Sequence, residues 1–215
     1  MMKTQVKVSK TSKMPCKSWS LEAIATCPAS KGEDGELVDA CKGCYATTGH
    51  YLGKNAINLR EHNKEDWKRE EWVSEMVYEL RNQTYFRWFD SGDVAWLKLA
   101  EKIYQVCEQT PHVRHWIPTR MYKFPKFKAI LDKLNELPNV RVRFSSDSIE
   151  GSFTKEHAST IIPYADSPIE AFICEAYSRG GKCGECRACW HKDVPMIAYV
   201  AHGTKINKLI KARAV

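Results

Sequence analysis

The stretch Tyr85–Asp93, with the sequence Tyr-Phe-Arg-Trp-Phe-Asp-Ser-Gly-Asp, decides how the rest of the chain is organised. It begins with four aromatic residues and one arginine, and aromatic residues favour strands. Two carboxylates then bracket Ser91 and Gly92, which is typical of a tight turn. The next residues, Val94–Val106, space their apolar side chains as an amphipathic helix does. The sequence therefore predicts a strand, a turn and a helix.

The same strand-and-helix unit recurs along the chain. Further strands are predicted over Val113–Arg120, Val140–Ser148, Ala171–Cys174 and Met196–His202, and a helix over Lys126–Leu137. Successive predicted strands end at intervals that match the length of one βα unit. We therefore predict an α/β fold, a small or partial (β/α) barrel with parallel strands, together with cysteine-rich metal-binding loops.

Reactive side chains stand where these predicted strands end. They are Asp90, Arg120, Asp147, Cys174 and His202. Parallel strands open at their carboxyl ends onto one face, and that face holds the active site in such proteins. We expect these side chains to meet around one cleft. The alternative is that each strand simply becomes polar where it reaches water.

The overall composition indicates a folded chain with a preference for anionic partners. Hydrophobic residues make up 43% of the sequence and seven residues are tryptophan, which excludes a disordered chain. No apolar run approaches the length of a membrane span, and no signal-peptide pattern is present, so we expect a cytoplasmic protein without a membrane partner. The net charge of +7 favours a polyanion such as DNA or RNA.

We predict a single domain over residues 1–215, with four parts. A basic arm and an N-terminal cysteine group occupy 1–48, and βα repeats occupy 49–173. A cysteine-rich metal loop covers 174–191, and the last strand with a basic tail covers 192–215. Within the repeats, 55–82 is predicted as a long charged helix or a helix pair. The segment 149–168 interrupts the repeat of strands and helices and is predicted as a lid or a substrate-binding loop.

Basic and aromatic residues interleave between positions 114 and 128, which is a pattern that single-stranded or flipped-out nucleic acid can use. The predicted nucleic-acid contacts there and in the C-terminal cysteine loop are Lys123, Lys126, Lys128, Arg179, Lys182 and Arg187. The alternative is a solvated helix face above core aromatic residues.

The nine cysteines divide into two groups of four and one isolated residue, Cys107, which the helical spacing places in the core. Without a secretory signal, such groups indicate metal rather than disulfides. The predicted C-terminal site, for Zn²⁺ or a [4Fe–4S] cluster, consists of Cys174, Cys183, Cys186 and Cys189. A second possible Zn²⁺ or iron–sulfur site consists of Cys16, Cys27, Cys41 and Cys44. Reduced, buried thiols are the alternative at the second site.

Three carboxylates, Asp90, Asp93 and Asp147, are the candidate catalytic groups. Two carboxylates on neighbouring strand ends can divide the work of retaining glycosyl transfer. One attacks the anomeric carbon, and the other exchanges protons with the leaving base. Ser91, Gly92, Arg120, Ser145 and Ser146 are the candidate substrate-binding residues.

The turn Asp90-Ser91-Gly92-Asp93 resembles the Asp-Ser-Gly-Gly turn of the tRNA-guanine transglycosylases, and a cysteine-rich site follows it here as it does there. Size and charge look more like the phage-encoded DpdA relatives of those enzymes. This resemblance implies a transferase that exchanges guanine in DNA for a 7-deazaguanine base. It also implies that Asp147 is the nucleophile and that Asp90 or Asp93 is the acid/base, although the sequence is equally compatible with exchanged roles. The chain resembles, in addition, a phage protein family known only by a gene-product number.

Two further functions stay open. The segment Cys41–Cys44, continued by Tyr-Ala, resembles the end of the radical-SAM motif, whose three cysteines hold a [4Fe–4S] cluster and leave one iron free for S-adenosylmethionine. Leu37 occupies the position of that motif's first cysteine, so Cys27 has to serve from across the inserted loop. Asp93 then stands where that family has an acid that binds the methionine amine. The third possibility is a non-catalytic zinc module that binds nucleic acid.

Overall fold

The computed structural model describes residues 4–213; Lys3 of the predicted basic arm lies outside this range. Within it, eight strands form two sheets. The strands are β1 (Ser9–Lys10), β2 (Lys17–Trp19), β3 (Tyr85–Trp88), β4 (Arg114–Thr119), β5 (Val140–Phe144), β6 (Ser159–Ile162), β7 (Phe172–Cys174) and β8 (Ile197–Val200). The fold is therefore mixed α/β, as predicted.

The two sheets continue into each other. In the first sheet, β2, β3, β4 and β5 are parallel neighbours and β1 lies antiparallel on the outer edge of β2. In the second sheet the order is β6-β8-β7, all parallel. A parallel bridge between Ser145 and Ser159 joins β5 to β6. The carboxyl ends of seven strands thus lie along one curved edge.

The predicted barrel does not close. Among residues 4–213, no strand pairing connects the β1–β2 edge to β7, so the sheet stays open on that side. Since β1 already occupies the outer edge of β2, and β7 has only three residues, neither edge offers a long row of free backbone groups. The correct description is an open, largely parallel sheet.

Six helices in the described range accompany the strands. They are α1 (Asp39–Lys42), α2 (Lys54–Asp66), α3 (Trp72–Leu80), α4 (Leu97–Gln109), α5 (Pro125–Glu136) and α6 (Thr204–Arg213). None of these helices is long and apolar enough to cross a membrane. The predicted helix pair over 55–82 is confirmed as α2 and α3.

The main core lies between the sheet and α3, α4 and α5. Trp19, Trp72 and Trp88 are fully buried there, and the Trp19 ring meets the other two edge to face. Each such aromatic side chain buries a large apolar area and adds about 0.5–1.5 kcal/mol per ring pair. A separate small core forms where Ile206 and Ile210 of α6 pack against the segment that carries Cys41. The C-terminal helix therefore supports the N-terminal cysteines.

The opposite face of the sheet is covered by the loop after β7. Trp190 packs edge to face on Tyr85 and Trp116, and its Nε1–H donates to the carbonyl of Phe86 at 2.9 Å. Arg143 of β5 is fully buried and donates to five carbonyls in this region, at Ala158, Ala188, Cys189, His191 and Val194. A loop of irregular backbone is thus held by one buried guanidinium.

The predicted strands β3, β4, β5, β7 and β8 and the helices α4 and α5 are confirmed, with ends shifted by a few residues. Five elements were not predicted. Strands β1 and β2 and helix α1 lie in the segment 1–48 predicted as a basic arm and a cysteine group, β6 lies in the segment predicted as a lid or a substrate-binding loop, and α6 occupies the basic tail. The strands and α1 have only two to four residues each, which is too few to show an apolar period.

Candidate functional site

A cavity of about 380 Å³ opens at the carboxyl ends of the strands. Its wall includes Asp90 after β3, Arg120 after β4, Ser145 after β5 and His202 after β8. A pocket of this size falls in the range of small-molecule sites, roughly 300–1,000 Å³. The expectation that distant strand ends share one cleft is thus met for Asp90, Arg120 and His202. Cys174 and Asp147 are not part of this wall.

Three cysteines from two chain segments, Cys27, Cys41 and Cys44, line the same cavity. The inserted loop between Cys27 and Cys41 folds back on itself through an antiparallel bridge between Lys31 and Leu37. Because this small hairpin closes the insertion, Cys27 reaches the C-x2-C segment despite the sequence distance. The three thiols lie close enough together that a thiolate at Cys44 raises the pKa of Cys27 and of Cys41.

The Ser91–Asp93 turn anchors the segment that leads to Cys27. The Ser91 hydroxyl donates to the carbonyl of Leu21 at 2.6 Å, and the Leu21 amide donates to the Ser91 carbonyl at 3.0 Å. The Asp93 amide donates to the Thr26 carbonyl at 3.1 Å. Gly92 has a φ of +79°, and a Cβ there would lie 2.7 Å from the Leu21 Cβ. Only glycine fits this left-handed turn at such close approach.

Backbone amides face two of the cavity thiols. The amide of Ile24 faces the Cys27 sulfur and the amide of Ala46 faces the Cys44 sulfur, while the Thr47 amide donates to the Cys44 carbonyl at 3.3 Å. Ile24 itself has a φ of +69°, which is costly for a β-branched residue. Strained backbone of this kind persists where the surroundings hold it, and it clusters at functional sites.

Burial raises the pKa of each of these three thiols above the usual value of a cysteine. Cations oppose this rise at two of the thiols: Arg120 lowers the pKa of Cys41 and Cys44, Lys123 lowers that of Cys41, and Lys205 lowers that of Cys44. Carboxylates act in the other direction, since Asp93 raises the pKa of Cys27 and Asp147 raises that of Cys41. The cations near Cys41 and Cys44 suit metal-bound thiolates, since a bound metal deprotonates its coordinating thiols.

Asp90 is held by its neighbours on the cavity wall. Its Oδ1 lies 3.0 Å from Arg87 Nη1, and its Oδ2 accepts a hydrogen bond of 2.6 Å from the Tyr51 hydroxyl. Tyr45 donates to the Asp90 carbonyl at 2.7 Å, and Arg87 Nη2 donates to the Tyr45 hydroxyl at 3.1 Å. The predicted catalytic Asp90 is thus part of a closed polar network with three residues that the sequence analysis did not single out.

Asp93 is buried and faces backbone donors. Its Oδ1 accepts from the Val94 amide at 2.7 Å, and its Oδ2 accepts from the Arg120 amide at 2.9 Å. Burial raises the pKa of Asp93, while these amides and the Thr119 hydroxyl oppose that rise. Each carboxylate oxygen retains acceptor capacity. Asp93 is therefore fixed in place on the cavity wall and can still accept a hydrogen bond from a ligand.

Asp147 is paired with cations and has a structural role. Its Oδ1 lies 3.2 Å from Arg120 Nε, and its Oδ2 contacts Lys123. Its backbone carbonyl accepts from the Ala40 amide at 2.9 Å, which fixes helix α1 and Cys41. Lys123 also donates to the Ala29 carbonyl at 3.3 Å, two residues after Cys27. This ion cluster holds both cysteine segments.

Of the predicted substrate-binding residues, Ser91, Gly92, Arg120, Ser145 and Ser146 all line the cavity. The Ser91 and Ser146 hydroxyls are used internally, since Ser146 Oγ donates to the Ser152 carbonyl at 2.6 Å. Ser145 Oγ accepts from Ser159 Oγ at 3.3 Å, and Thr160 extends this row of hydroxyls along the wall.

The second cysteine group borders a separate small cavity. Cys174, Cys183, Cys186 and Cys189 all contribute to its wall. Cys16, predicted with the N-terminal group, packs instead in a cluster with Cys183 and Cys189. The N-terminal group therefore has three members, because β2 carries Cys16 away from the cavity edge.

The thiols of neither group converge as single-ion ligands. Between residues 4 and 213 there is no group of three or more His, Cys, Asp or Glu side chains placed to hold one metal ion. The predicted metal-binding loops are thus present as cysteine groups around cavities, without a preformed single-ion site. Cys107 is fully buried in the main core, as predicted.

Most of the predicted nucleic-acid residues contact partners within the chain. Lys123 is used in the Asp147 cluster, and Lys128 and Arg179 pair with Asp132 and Glu175. Arg187 lies over the Tyr85 ring at 5.3 Å. Lys126 contacts the Phe127 ring, and Lys182 is exposed. The interleaved aromatic residues Trp116 and Phe127 are buried, so they are core residues rather than a stacking surface.

Three residues that surround Asp90, namely Arg87, Tyr45 and Tyr51, were not predicted as site residues. One signal was available for Arg87. It is the only charged residue in an otherwise aromatic strand, and a cation there needs an anionic partner near the strand end. Tyr45 and Tyr51 follow the C-x2-C segment without any periodic pattern, and only the folded chain brings them to β3.

The fold and site define a class: an α/β protein with an open, largely parallel sheet and a cysteine-lined cavity at the strand ends. The sequence profile of one family, Gene product 88, matches residues 1–192. The chain therefore belongs to the Gene product 88 family, a family of phage gene products. No curated protein and no solved structure matches the chain.

The resemblance to the tRNA-guanine transglycosylases and their DpdA relatives is wrong, because the family found is Gene product 88 and no transglycosylase family matches. The resemblance to a phage family known by a gene-product number is confirmed. In the structure, the shared Asp-Ser-Gly turn has a local cause, since it anchors the segment before Cys27. A four-residue turn was too short to carry the resemblance.

Proposed function

We propose that this protein is an iron–sulfur enzyme in which Cys27, Cys41 and Cys44 hold a [4Fe–4S] cluster and the cavity binds S-adenosylmethionine. The observation that carries the proposal is the meeting of these three thiols on the wall of one small-molecule cavity at the strand ends. Three thiolates leave one iron of a four-iron cluster without a protein ligand. The function rests on the site and not on membership of another enzyme family.

We propose a cluster rather than one zinc ion at these cysteines, because a zinc ion draws its ligands to about 2.3 Å and the described residues hold no group placed to bind one ion. A [4Fe–4S] cluster occupies the space between its cysteines, so its ligands stand further apart. Backbone amides that face the Cys27 and Cys44 sulfurs are hydrogen-bond donors of the kind that tune such clusters.

The remainder of the cavity supplies groups for the ligand. Asp93 can accept from a ligand amine, and Arg120 and Arg87 offer positive charge to a carboxylate. The hydroxyls of Ser145 and Thr160 suit a ribose or base edge. When bound, the cluster supplies one electron at a time, and an external reductant is needed to restore it.

The first test is anaerobic purification followed by iron and sulfide analysis. Wild type is expected to be brown, to absorb near 400 nm, and to bind iron and sulfide. Cys27→Ser, Cys41→Ser and Cys44→Ser should each lose about four irons per chain. Cys107→Ser is the matched control, because Cys107 is buried away from the cavity. A chain that stays free of iron and sulfide after reconstitution contradicts the proposal.

The second test addresses the ligand. Addition of S-adenosylmethionine to the reduced protein should change its electron paramagnetic resonance spectrum, and Asp93→Asn should weaken that change. With dithionite as electron donor, the reaction should release methionine and 5′-deoxyadenosine. A cluster whose spectrum is unaffected by S-adenosylmethionine, together with no cleavage, would leave an iron–sulfur protein and remove this enzyme activity.

Two other functions stay predictions. Guanine exchange by Asp147 was suggested by a family resemblance that the family match does not support, and Asp147 is not part of the cavity wall. A zinc module that binds DNA or RNA has the charge of +7 in its favour. A colourless zinc protein that binds nucleic acid with a steep salt dependence would favour this module over the iron–sulfur enzyme. The sequence-based prediction of Zn²⁺ or a [4Fe–4S] cluster at the four C-terminal cysteines stays a prediction.

A further inference from the structure

Cys16 lies immediately before β2 and is buried with only 6% of its surface exposed. It does not contact the cavity at the strand ends. Its neighbours are side chains of the loop after β7, namely Cys183, Cys189 and Trp190, together with Met14 and Trp116. A thiol from the first edge of the open sheet thus meets the cysteine loop that follows its last edge.

A backbone contact fixes this meeting. The Cys183 amide donates to the Lys13 carbonyl at 2.9 Å, three residues before Cys16. The contact spans the open side of the sheet, where β2 and β7 are not paired among the described residues. The cysteine loop therefore already bridges the gap that prevents a closed barrel.

The thiols of this region form a connected group. Cys174, Cys183, Cys186 and Cys189 border one small cavity, and the Cys183 thiol adjoins Cys16, Cys174 and Cys186. The Cys189 sulfur lies 3.4 Å from the Tyr199 hydroxyl of β8. Five cysteines from three chain segments thus surround the end of β7.

Guanidinium groups lie near these thiols. Burial raises the pKa of Cys16 and of Cys189, and this rise is opposed by Arg87 and Arg187 at Cys16 and by Arg143 at Cys189. The three guanidinium groups are therefore placed to offset the negative charge of thiolates once a metal has deprotonated them.

We propose that Cys16 and three of the four C-terminal cysteines hold a second [4Fe–4S] cluster, which joins the two edges of the open sheet. Such a cluster accepts four thiolates and occupies the space between them, so it does not need the single-ion group that the described residues lack. A ligand at position 16 closes a loop of more than 150 residues, and constraining so long a loop removes much conformational entropy from the unfolded chain. The proposal is independent of the cluster at Cys27, Cys41 and Cys44.

The test uses the full chain with Cys27, Cys41 and Cys44 replaced by serine, so that only the second centre is counted. Iron, sulfide and zinc are measured per chain after anaerobic purification. In this background, Cys16→Ser should abolish the bound metal, whereas Cys107→Ser, another buried cysteine, should retain it. Iron together with sulfide supports the cluster, whereas bound zinc without iron and sulfide contradicts it.

The four C-terminal cysteines supply a second readout if Cys16→Ser fails to fold. With Cys16 as a ligand, one of Cys174→Ser, Cys183→Ser, Cys186→Ser and Cys189→Ser should retain full metal content. If the four C-terminal cysteines alone form the site, all four variants lose the metal. Full metal in the Cys16→Ser chain, loss in all four variants, or no metal in the background chain each overturns the proposal.

Discussion

The Ser91 hydroxyl donates a 2.6 Å hydrogen bond to the carbonyl of Leu21, seventy residues earlier in the chain. The Leu21 amide returns a bond to the Ser91 carbonyl at 3.0 Å. This pair attaches the end of β3 to the segment that carries Cys27 into the cavity. The carboxylate-rich turn that looked catalytic is thus first a support for a cysteine loop.

Gly92→Ala should destabilise the protein strongly. The new Cβ would lie 2.7 Å from the Leu21 Cβ and 2.8 Å from the Thr26 Oγ1, at a φ of +79°. We expect a loss of about 3 kcal/mol or more in the free energy of unfolding, measured by urea denaturation, and loss of any metal bound near Cys27.

Gly35→Ala is the matched control for Gly92→Ala. Gly35 has a φ of +80°, but among the described residues no heavy atom beyond its chain neighbours lies within 4 Å of the Cβ that alanine would add. The Gly35→Ala variant therefore measures only the free-energy cost of placing alanine in a left-handed backbone conformation, about 1 kcal/mol. Equal losses for the two variants would show that the contact with Leu21 has no energetic effect.

Ile24→Asn should stabilise the fold. Ile24 has a φ of +69°, a conformation that costs about 1–2 kcal/mol for most residues and that asparagine tolerates best after glycine. Its side chain is only half-buried, so the lost apolar contact is limited. We expect a gain of about 1 kcal/mol by urea denaturation. A clear loss of stability would mean that the packing of the isoleucine side chain outweighs the strain.

Arg143→Met should release the loop after β7. The substitution removes one donor from each of five carbonyls, and those of Cys189 and His191 have no other donor among the described residues. A buried acceptor left without a donor costs about 1–3 kcal/mol. Hydrogen exchange should increase over residues 188–194, as measured by mass spectrometry.

Arg141→Met, on the same strand, serves as the control for Arg143→Met. Arg141 is half-buried and reaches only the carbonyls of Val194 and Pro195 among the described residues. Its replacement should cost less and should leave exchange over residues 188–194 nearly unchanged. Equal exchange in both variants would contradict the special role of Arg143.

His115 should make the protein less stable in mild acid. The ring is fully buried, and its Nδ1 accepts from Trp88 Nε1 at 3.3 Å. Its Nε2 lies 2.9 Å from Thr110 Oγ1, whose own proton goes to the Val106 carbonyl at 2.7 Å. The neutral ring satisfies both contacts, and a second ring proton would face the Trp88 N–H. Burial accordingly lowers the pKa of His115 from 6.5 to about 3.

The sign of this effect follows from proton binding. Between pH 6.5 and about pH 3 the unfolded chain binds a proton at position 115 and the folded chain does not. Lowering the pH through this window should therefore decrease the free energy of unfolding, and this group contributes about 1.4 kcal/mol per pH unit to the decrease. His115→Gln should flatten the slope between pH 6.5 and about pH 5. An unchanged slope would show that His115 is protonated in the folded state.

Much of the fold could be predicted from local sequence. The aromatic stretch before Asp90 predicted β3, and apolar periods predicted α4 and α5, because side-chain spacing reports burial directly. Strands β2 and β6 were missed, since three or four residues carry too little pattern. The predicted small or partial barrel became an open sheet because pairing of distant edges leaves no local trace.

Local sequence was enough to establish the parallel α/β class, the grouping of most cysteines, and the presence of Asp90, Arg120 and His202 at strand ends. Tertiary packing was needed to place Cys16 with the C-terminal group and to pair Asp147 with Arg120 and Lys123 outside the cavity. The physical reason is the sequence distance over which each feature arises. Strand and helix patterns depend on residues that are near one another in the chain. The partners of a thiol or a carboxylate depend on how segments pack, either across the sheet or between parts of the chain more than a hundred residues apart.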